Sequence, residues 1–243
     1  MLKSDPEELD ALGRGAYSAV EGLRLLNFNR LGARVAQPIS RNTVSRWLRG
    51  YHHGENGSRY SAALWRPDYV NNDDQIELSF RDLIELRFVK SFRDLGLGLP
   101  FIRECYRRAV EELNDDRPFS TRKFRSDGKT IFLEITEKDH EGKMIDLKKR
   151  QQVFKSFIEP SLRDLEFDAS TVARWYPLGI TKKAVVVDPA RSFGRPIVRS
   201  GVPTAVLAEA VNIEKSADIV ASLYDVSKVE IRAALDFERR LAA

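Results

Sequence analysis

The residues with the most definite chemistry lie between Ile39 and Tyr51, a stretch reading Ile-Ser-Arg-Asn-Thr-Val-Ser-Arg-Trp-Leu-Arg-Gly-Tyr. Ser40 is placed to cap a helix, Val44, Trp47 and Leu48 recur at the spacing of one buried face, and Gly50 is placed to stop it. Arg41, Asn42, Ser45, Arg46 and Arg49 are left facing outward. An arginine fork fits guanine, an asparagine amide fits adenine, and hydroxyls and guanidiniums hold phosphate oxygens. Arg41, Asn42, Ser45 and Arg46 are therefore candidate base readers, with Arg49, Arg59 and Arg66 as candidate phosphate contacts. An ordinary amphipathic surface helix that happens to be basic has the same composition.

A helix that enters a DNA groove must be held by another. Ser18 and Glu21 form a capping box ahead of Val20, Leu23 and Leu26, which predicts a first helix just before the basic one. The connection from Asn27 to Pro38 is about twelve residues, longer than the three or four of the usual helix-turn-helix. Leu31 and Val35 are apolar enough to anchor it. After Tyr51, the segment from His52 to Tyr60 is glycine-rich and polar, suited to a wing resting on phosphate. His52 and His53 are adjacent and have no third ligand at metal spacing, so no metal site is expected. Trp65, with Tyr60 and Tyr69, is expected to close this loop onto the core.

Charge is distributed unevenly along the 243 residues. The whole chain carries a net charge of +4 and a pI near 9.1. Arg14 to Arg66 holds nine arginines, no lysine and two acids, a net +7, whereas Thr204 to the C-terminus is −2. A basic third and a weakly acidic one point to two different partners, nucleic acid for the first. There is no apolar run of membrane-spanning length and no signal-peptide pattern at the start, so a cytoplasmic location without membrane contact is expected. Cys105, the single cysteine, falls in a helical pattern as a buried thiol. With three histidines, no P-loop and no Gly-x-Ser-x-Gly elbow, the sequence points away from an enzyme and implies no cofactor.

Further along, Ser79 and Asp82 make a second capping box. The helix they open carries Phe80, Leu83, Ile84, Phe88, Phe92 and Leu95, widened by Leu86 and Val89, and must be covered on more than one side. Phe101 to Leu113 reads as another helix, with Ile102, Cys105, Tyr106, Ala109, Val110 and Leu113 inward. From Pro118 the apolar period shortens to two. Phe119, Phe124, Ile131 to Ile135 and Met144 to Leu147 are read as antiparallel strands, with turns at Ser126 to Gly128 and Asp139 to Gly142. The acids Asp139 and Glu141 fit a charged hairpin tip better than a catalytic carboxylate pair. A helix from Arg150 to Leu162 and strands at Ala173 to Tyr176 and Ala184 to Asp188 follow. Three short helices end the chain, Thr204 to Val211, Ser216 to Tyr224 and Ser227 to Leu241. Ile219, Val220, Leu223, Val226, Val229, Ala233 and Phe237 are expected as their core, a unit too small to be very stable alone.

Three stretches together resemble the larger VapB-type antitoxins of prokaryotic toxin-antitoxin modules. Tyr17 to Glu21, Ser40 to Gly50 and Leu78 to Arg87 are similar to a MerR-like helix-turn-helix and the helix behind it. Arg174-Trp-Tyr-Pro-Leu-Gly179 is similar to a linking strand of these antitoxins. Phe193-Gly-Arg-Pro-Ile-Val198 with Gly201-Val-Pro-Thr204 and the last helices resembles the short antitoxin domain encoded beside PIN-like ribonucleases.

The resemblance implies a mainly helical α+β chain with three parts. Residues 1–116 would form the MerR-like DNA-binding domain, 117–188 a linking region with a small antiparallel sheet, and 189–243 a trihelical, helix-turn-helix-like unit. It implies a homodimer that binds double-stranded operator DNA, represses its own operon and neutralises a cognate PIN-like toxin. Arg191, Arg195 and Arg199, flanking the glycine-proline turns, are the candidate toxin contacts because basic groups suit an acidic nuclease site. The competing possibility is structural, with Gly194 and Gly201 supplying unusual backbone angles and Arg195 pairing with an acid such as Asp188. The alternative function is a MerR-like transcription regulator whose C-terminal region senses a small ligand.

Overall fold

A computed structural model describes residues 13–28, 38–69, 75–94, 96–138 and 162–242. Ser18 ends a two-residue strand β1 (Tyr17–Ser18) and caps α1 (Ala19–Leu26), its hydroxyl accepting the Glu21 N–H while the Glu21 carboxylate accepts the Ser18 N–H. The predicted capping box is present. Strand β1 pairs antiparallel with β4 (Glu77–Leu78), and α1 lies close enough that a Cβ at Gly22 would stand 2.6 Å from the Leu78 side chain. Leu25 and Leu26 are buried, but Val20 is 67% exposed. The apolar face of α1 is therefore rotated from the one expected. Between α1 and β4 come α2 (Arg41–Arg49) and a hairpin of β2 (Tyr51–His53) and β3 (Arg59–Ser61).

The centre of the molecule is α3 (Phe80–Asp94), opened by the Ser79–Asp82 box as expected. Leu83, Ile84, Leu86, Phe88 and Val89 are fully buried, which requires cover on several sides. That cover comes from α1, from α4 (Leu99–Leu113) and from a turn at Pro118–Ser120.

The strands expected from Phe119 onward are corrected here: α5 is one helix, Arg122–Lys138, and the predicted turn at Ser126 to Gly128 lies inside it. Phe124, Gly128 and Phe132 are buried at four-residue intervals, with Arg125, Ser126, Asp127, Lys129 and Thr130 exposed between them. Phe124 packs on Phe88 and Phe119, and Phe132 stacks on Phe92 with centroids 6.1 Å apart. Thr121 caps the start by accepting the Phe124 N–H at 3.0 Å. The alternating run Ile131 to Ile135 suits a strand locally, but the aromatic contacts form only in the helical register. The predicted tip at 139–142, the strand at 144–147 and most of the helix at 150–162 lie outside the described residues.

A four-stranded antiparallel meander follows in chain order: β5 (Leu165–Phe167), β6 (Val172–Trp175), β7 (Val185–Val187) and β8 (Pro196–Val198). The middle two match expectation. Strand β8 was not anticipated, and its Pro196 is tolerated because β8 ends the strand order.

Helices α6 (Thr204–Glu214), α7 (Ala217–Leu223) and α8 (Lys228–Ala242) pack around Val198, Leu207, Ala210, Val220, Val226, Ile231 and Ala234. Ile219, Leu223 and Val229, expected in that core, are instead 52%, 66% and 71% exposed. Leu207 of α6 and Ala234 of α8 are buried in that core instead. Phe237 leaves this unit and joins the main core, its ring 5.0 Å from that of Phe28. The architecture is thus mixed helix and sheet, and no described helix is long and apolar enough to cross a membrane.

Candidate nucleic-acid interface

Helix α2 is built as its residue types dictate. The Ser40 hydroxyl accepts the Thr43 N–H at 3.2 Å, and Val44, Trp47 and Leu48 are buried. Arg41, Asn42, Arg46 and Arg49 are exposed and Ser45 is half-buried. Gly50 takes φ +77° at the C-terminal end, where a Cβ would run into the Tyr60 hydroxyl and the Ser61 carbonyl. Only glycine fits the turn that brings β2 back beside the helix.

The long connection between α1 and α2 is clamped at its two ends by one side chain. Asn27 donates from Nδ2 to the Ile39 carbonyl at 3.0 Å and accepts the Ile39 N–H on Oδ1 at 2.9 Å. This two-way amide bridge fixes the approach of α2 to α1 irrespective of the path taken by 29–37. Leu31 and Val35 lie outside the described residues. Asn27 was not singled out in the sequence, although an asparagine at a helix C-cap followed by a long connection is a usable signal.

The hairpin after α2 has the form of a wing. Arg59 is exposed on β3 opposite His53, and the Tyr60 hydroxyl donates to the Arg49 carbonyl at 3.2 Å. Tyr60 itself is exposed and packs on His52, so it does not close the loop onto the core as expected. Trp65 does: it is buried, and its indole N–H donates to Asp82 at 2.8 Å. Asp82 also receives Nε of Arg117 at 3.2 Å, so the chain leaving the wing is anchored to the first turn of α3. No cluster of metal-ligating side chains occurs among the described residues.

Not all of the candidate DNA-binding arginines are equally available. The Arg49 guanidinium donates to the Gln75 carbonyl at 2.8 Å, and Arg46 lies over the Tyr51 ring at 5.3 Å. Arg66 is exposed. Arg41, Asn42, Ser45, Arg46 and Arg49 share the outer side of one helix, with Arg59 on the adjoining hairpin, whereas Arg191, Arg195 and Arg199 belong to a separate place around β8.

There the turn Ser192–Gly194 docks on the N-terminal part of the chain. The Ala16 N–H donates to the Phe193 carbonyl at 3.0 Å, and the Tyr17 hydroxyl donates to the Gly194 carbonyl at 2.9 Å. Burial pushes the Tyr17 phenol well above its ordinary pKa, which keeps that proton in place. Gly194 and Gly201 have φ of +83° and +99°, and a Cβ at Gly194 would collide with Tyr17. Arg195 pairs with Glu21 at 3.7 Å rather than with Asp188, which is held by Arg174 at 2.8 Å. Arg191, Arg195 and Arg199 are all exposed.

This defines a mixed helix-and-sheet chain in which a capped basic helix, a hairpin and a glycine-turn segment are mounted on one core. No protein-family model matches the chain, and no curated protein matches it significantly in sequence. Among solved structures, the crystal structure of Rv2018 from Mycobacterium tuberculosis is similar, with a TM-score of 0.61 and 19% identity. The match covers 90% of this chain and 97% of that one. At this identity the likeness establishes the shared fold.

Proposed function

We propose that this chain is a DNA-binding antitoxin, acting without catalysis, that represses its own operon as a homodimer and neutralises a PIN-like ribonuclease. The observation that carries the DNA half is the unit of α1, α2 and the β2–β3 hairpin. We read it as a MerR-like helix-turn-helix, with α1 as the supporting helix, α2 as the capped helix presenting Arg41, Asn42, Ser45 and Arg46 outward, and the hairpin bearing Arg59 as its wing. In a dimer, two such helices would meet half-sites about one DNA turn apart. What supports the toxin half is the exposed cluster of Arg191, Arg195 and Arg199 around turns whose glycines have left-handed backbone angles, together with the resemblance of that segment to short antitoxin domains.

Arg46→Ala tests the first half. Loss of one arginine–guanine contact is expected to weaken binding to the upstream promoter by about 1–3 kcal/mol, measured by fluorescence anisotropy. Unchanged affinity together with an unchanged salt dependence would remove Arg46 from the interface. For the second half, the full chain with Arg191, Arg195 and Arg199 replaced by glutamate should fail to copurify with the ribonuclease encoded beside it while still binding DNA. Retention of the nuclease by that variant would place the toxin contact elsewhere.

A further inference from the structure

An open concavity of roughly 630 Å³ is lined by the segment from Leu64 to Arg66, by α4 and by the chain at Asp116 and Arg117. Its wall is aromatic: Trp65 and Tyr106 stack there with centroids 5.3 Å apart and planes 17° from parallel. Arg66, Arg103, Arg107 and Arg117 reach it, against the two carboxylates Glu111 and Asp116. Arg107 is neutralised by Glu104 and Glu111, and Arg117 by Asp68 at 2.9 Å and Asp82 at 3.2 Å. The other two arginines are not neutralised. Arg66 is exposed, and its side chain makes no ion pair or hydrogen bond with any described residue. Arg103 donates one terminal nitrogen to the Ala63 carbonyl at 3.2 Å, while its other terminal nitrogen is buried and has no partner. A guanidinium fork matches the spacing of phosphate oxygens, and Arg66 and Arg103 are the two arginines of this lining that no carboxylate among the described residues occupies.

We propose that this concavity binds a phosphate group through Arg103 and Arg66, and that the phosphate belongs to the backbone of the duplex held by α2. The placement follows from two hydrogen bonds. The Leu64 N–H donates to the Trp47 carbonyl at 2.7 Å, so the segment from Ala63 to Arg66 is fastened to α2 itself. Arg103, on α4, grips the same segment at Ala63. Arg66 is two residues beyond Leu64, within about 7 Å of chain. Helix α4 thereby adds a backbone contact that neither the recognition helix nor the wing supplies. This rests on α2 being the DNA-entering helix. The same chemistry would also suit a free phosphorylated ligand.

The test uses the full chain with Arg103→Gln and, separately, Arg66→Gln, whose exposed position removes folding as an explanation. Binding to the promoter duplex and to an unrelated duplex is followed across a salt series, and melting temperature is followed with millimolar inorganic phosphate and with ATP. Each variant is expected to weaken both duplexes several-fold alike and to reduce the salt slope by about 1. Phosphate and ATP are expected to leave the melting temperature unmoved. If they instead stabilise the parent protein and not Arg103→Gln, the site takes a free phosphorylated ligand and its DNA assignment is overturned. If neither variant alters either readout, there is no phosphate site. Should the parent chain bind no duplex, the role given to α2 fails, and the absence of any phosphate or ATP effect would then overturn this site independently.

Discussion

Gly194 illustrates how much one residue can hold. Its φ of +83° disfavours any side chain, and its carbonyl and missing Cβ together accommodate Tyr17 from the far end of the chain. Gly96 has nearly the same φ, +80°, with nothing within 4 Å of a Cβ built on it. The pair separates backbone strain from packing. Gly96→Ala should lose about 1 kcal/mol, from the backbone alone, and Gly194→Ala about 2–4 kcal/mol because Tyr17 must also move. Equal losses in urea unfolding would mean that the Tyr17 contact contributes nothing.

At the scale of elements, α3 carries the most unusual chemistry. Glu85 is fully buried on it and accepts the Phe119 and Ser120 N–H groups at 3.2 and 2.8 Å. Burial nevertheless dominates and pushes its pKa up to about 8 from an ordinary 4.5. The folded state thus prefers the protonated form. The corresponding stability is fully present below the unfolded pKa of 4.5 and is lost as pH rises through 8, a change of about 5 kcal/mol. Melting temperature should fall between pH 5 and about 8.5, and Glu85→Gln, though less stable for want of one acceptor, should flatten that decline. An unchanged slope in the variant would assign the pH dependence to other groups.

For the whole molecule, the decisive feature is that the last helices close onto the first. Phe237 of α8 is buried against Phe28, and the turn before β8 is hydrogen-bonded to Ala16 and Tyr17. Phe237→Ala should therefore destabilise the entire chain by about 3–5 kcal/mol and leave unfolding a single transition. Coincident curves from tryptophan fluorescence and far-ultraviolet circular dichroism would confirm the coupling. Two separated transitions would show that the C-terminal helices unfold on their own.

Much of the candidate interface was legible in the chain because its signals are local. The Ser18, Ser40 and Ser79 caps lie within three residues of the groups they bind, and the Val44, Trp47, Leu48 face follows from helical spacing alone. Arg41, Asn42 and Arg46 are exposed for the same reason. Where propensity and packing disagreed, packing won: the run from Ile131 to Ile135 alternates like a strand, yet Phe124 and Phe132 meet Phe88 and Phe92 only from a helix. The exposure of Val20, Ile219 and Leu223 was hidden because short helices carry too few turns to fix which face is inward. The Asn27–Ile39 clamp, the Tyr17–Gly194 bond and the unpaired nitrogen of Arg103 could not be read from the chain. Each depends on groups brought together across 12 to 177 positions or on the lack of a neighbour, and only tertiary packing decides either.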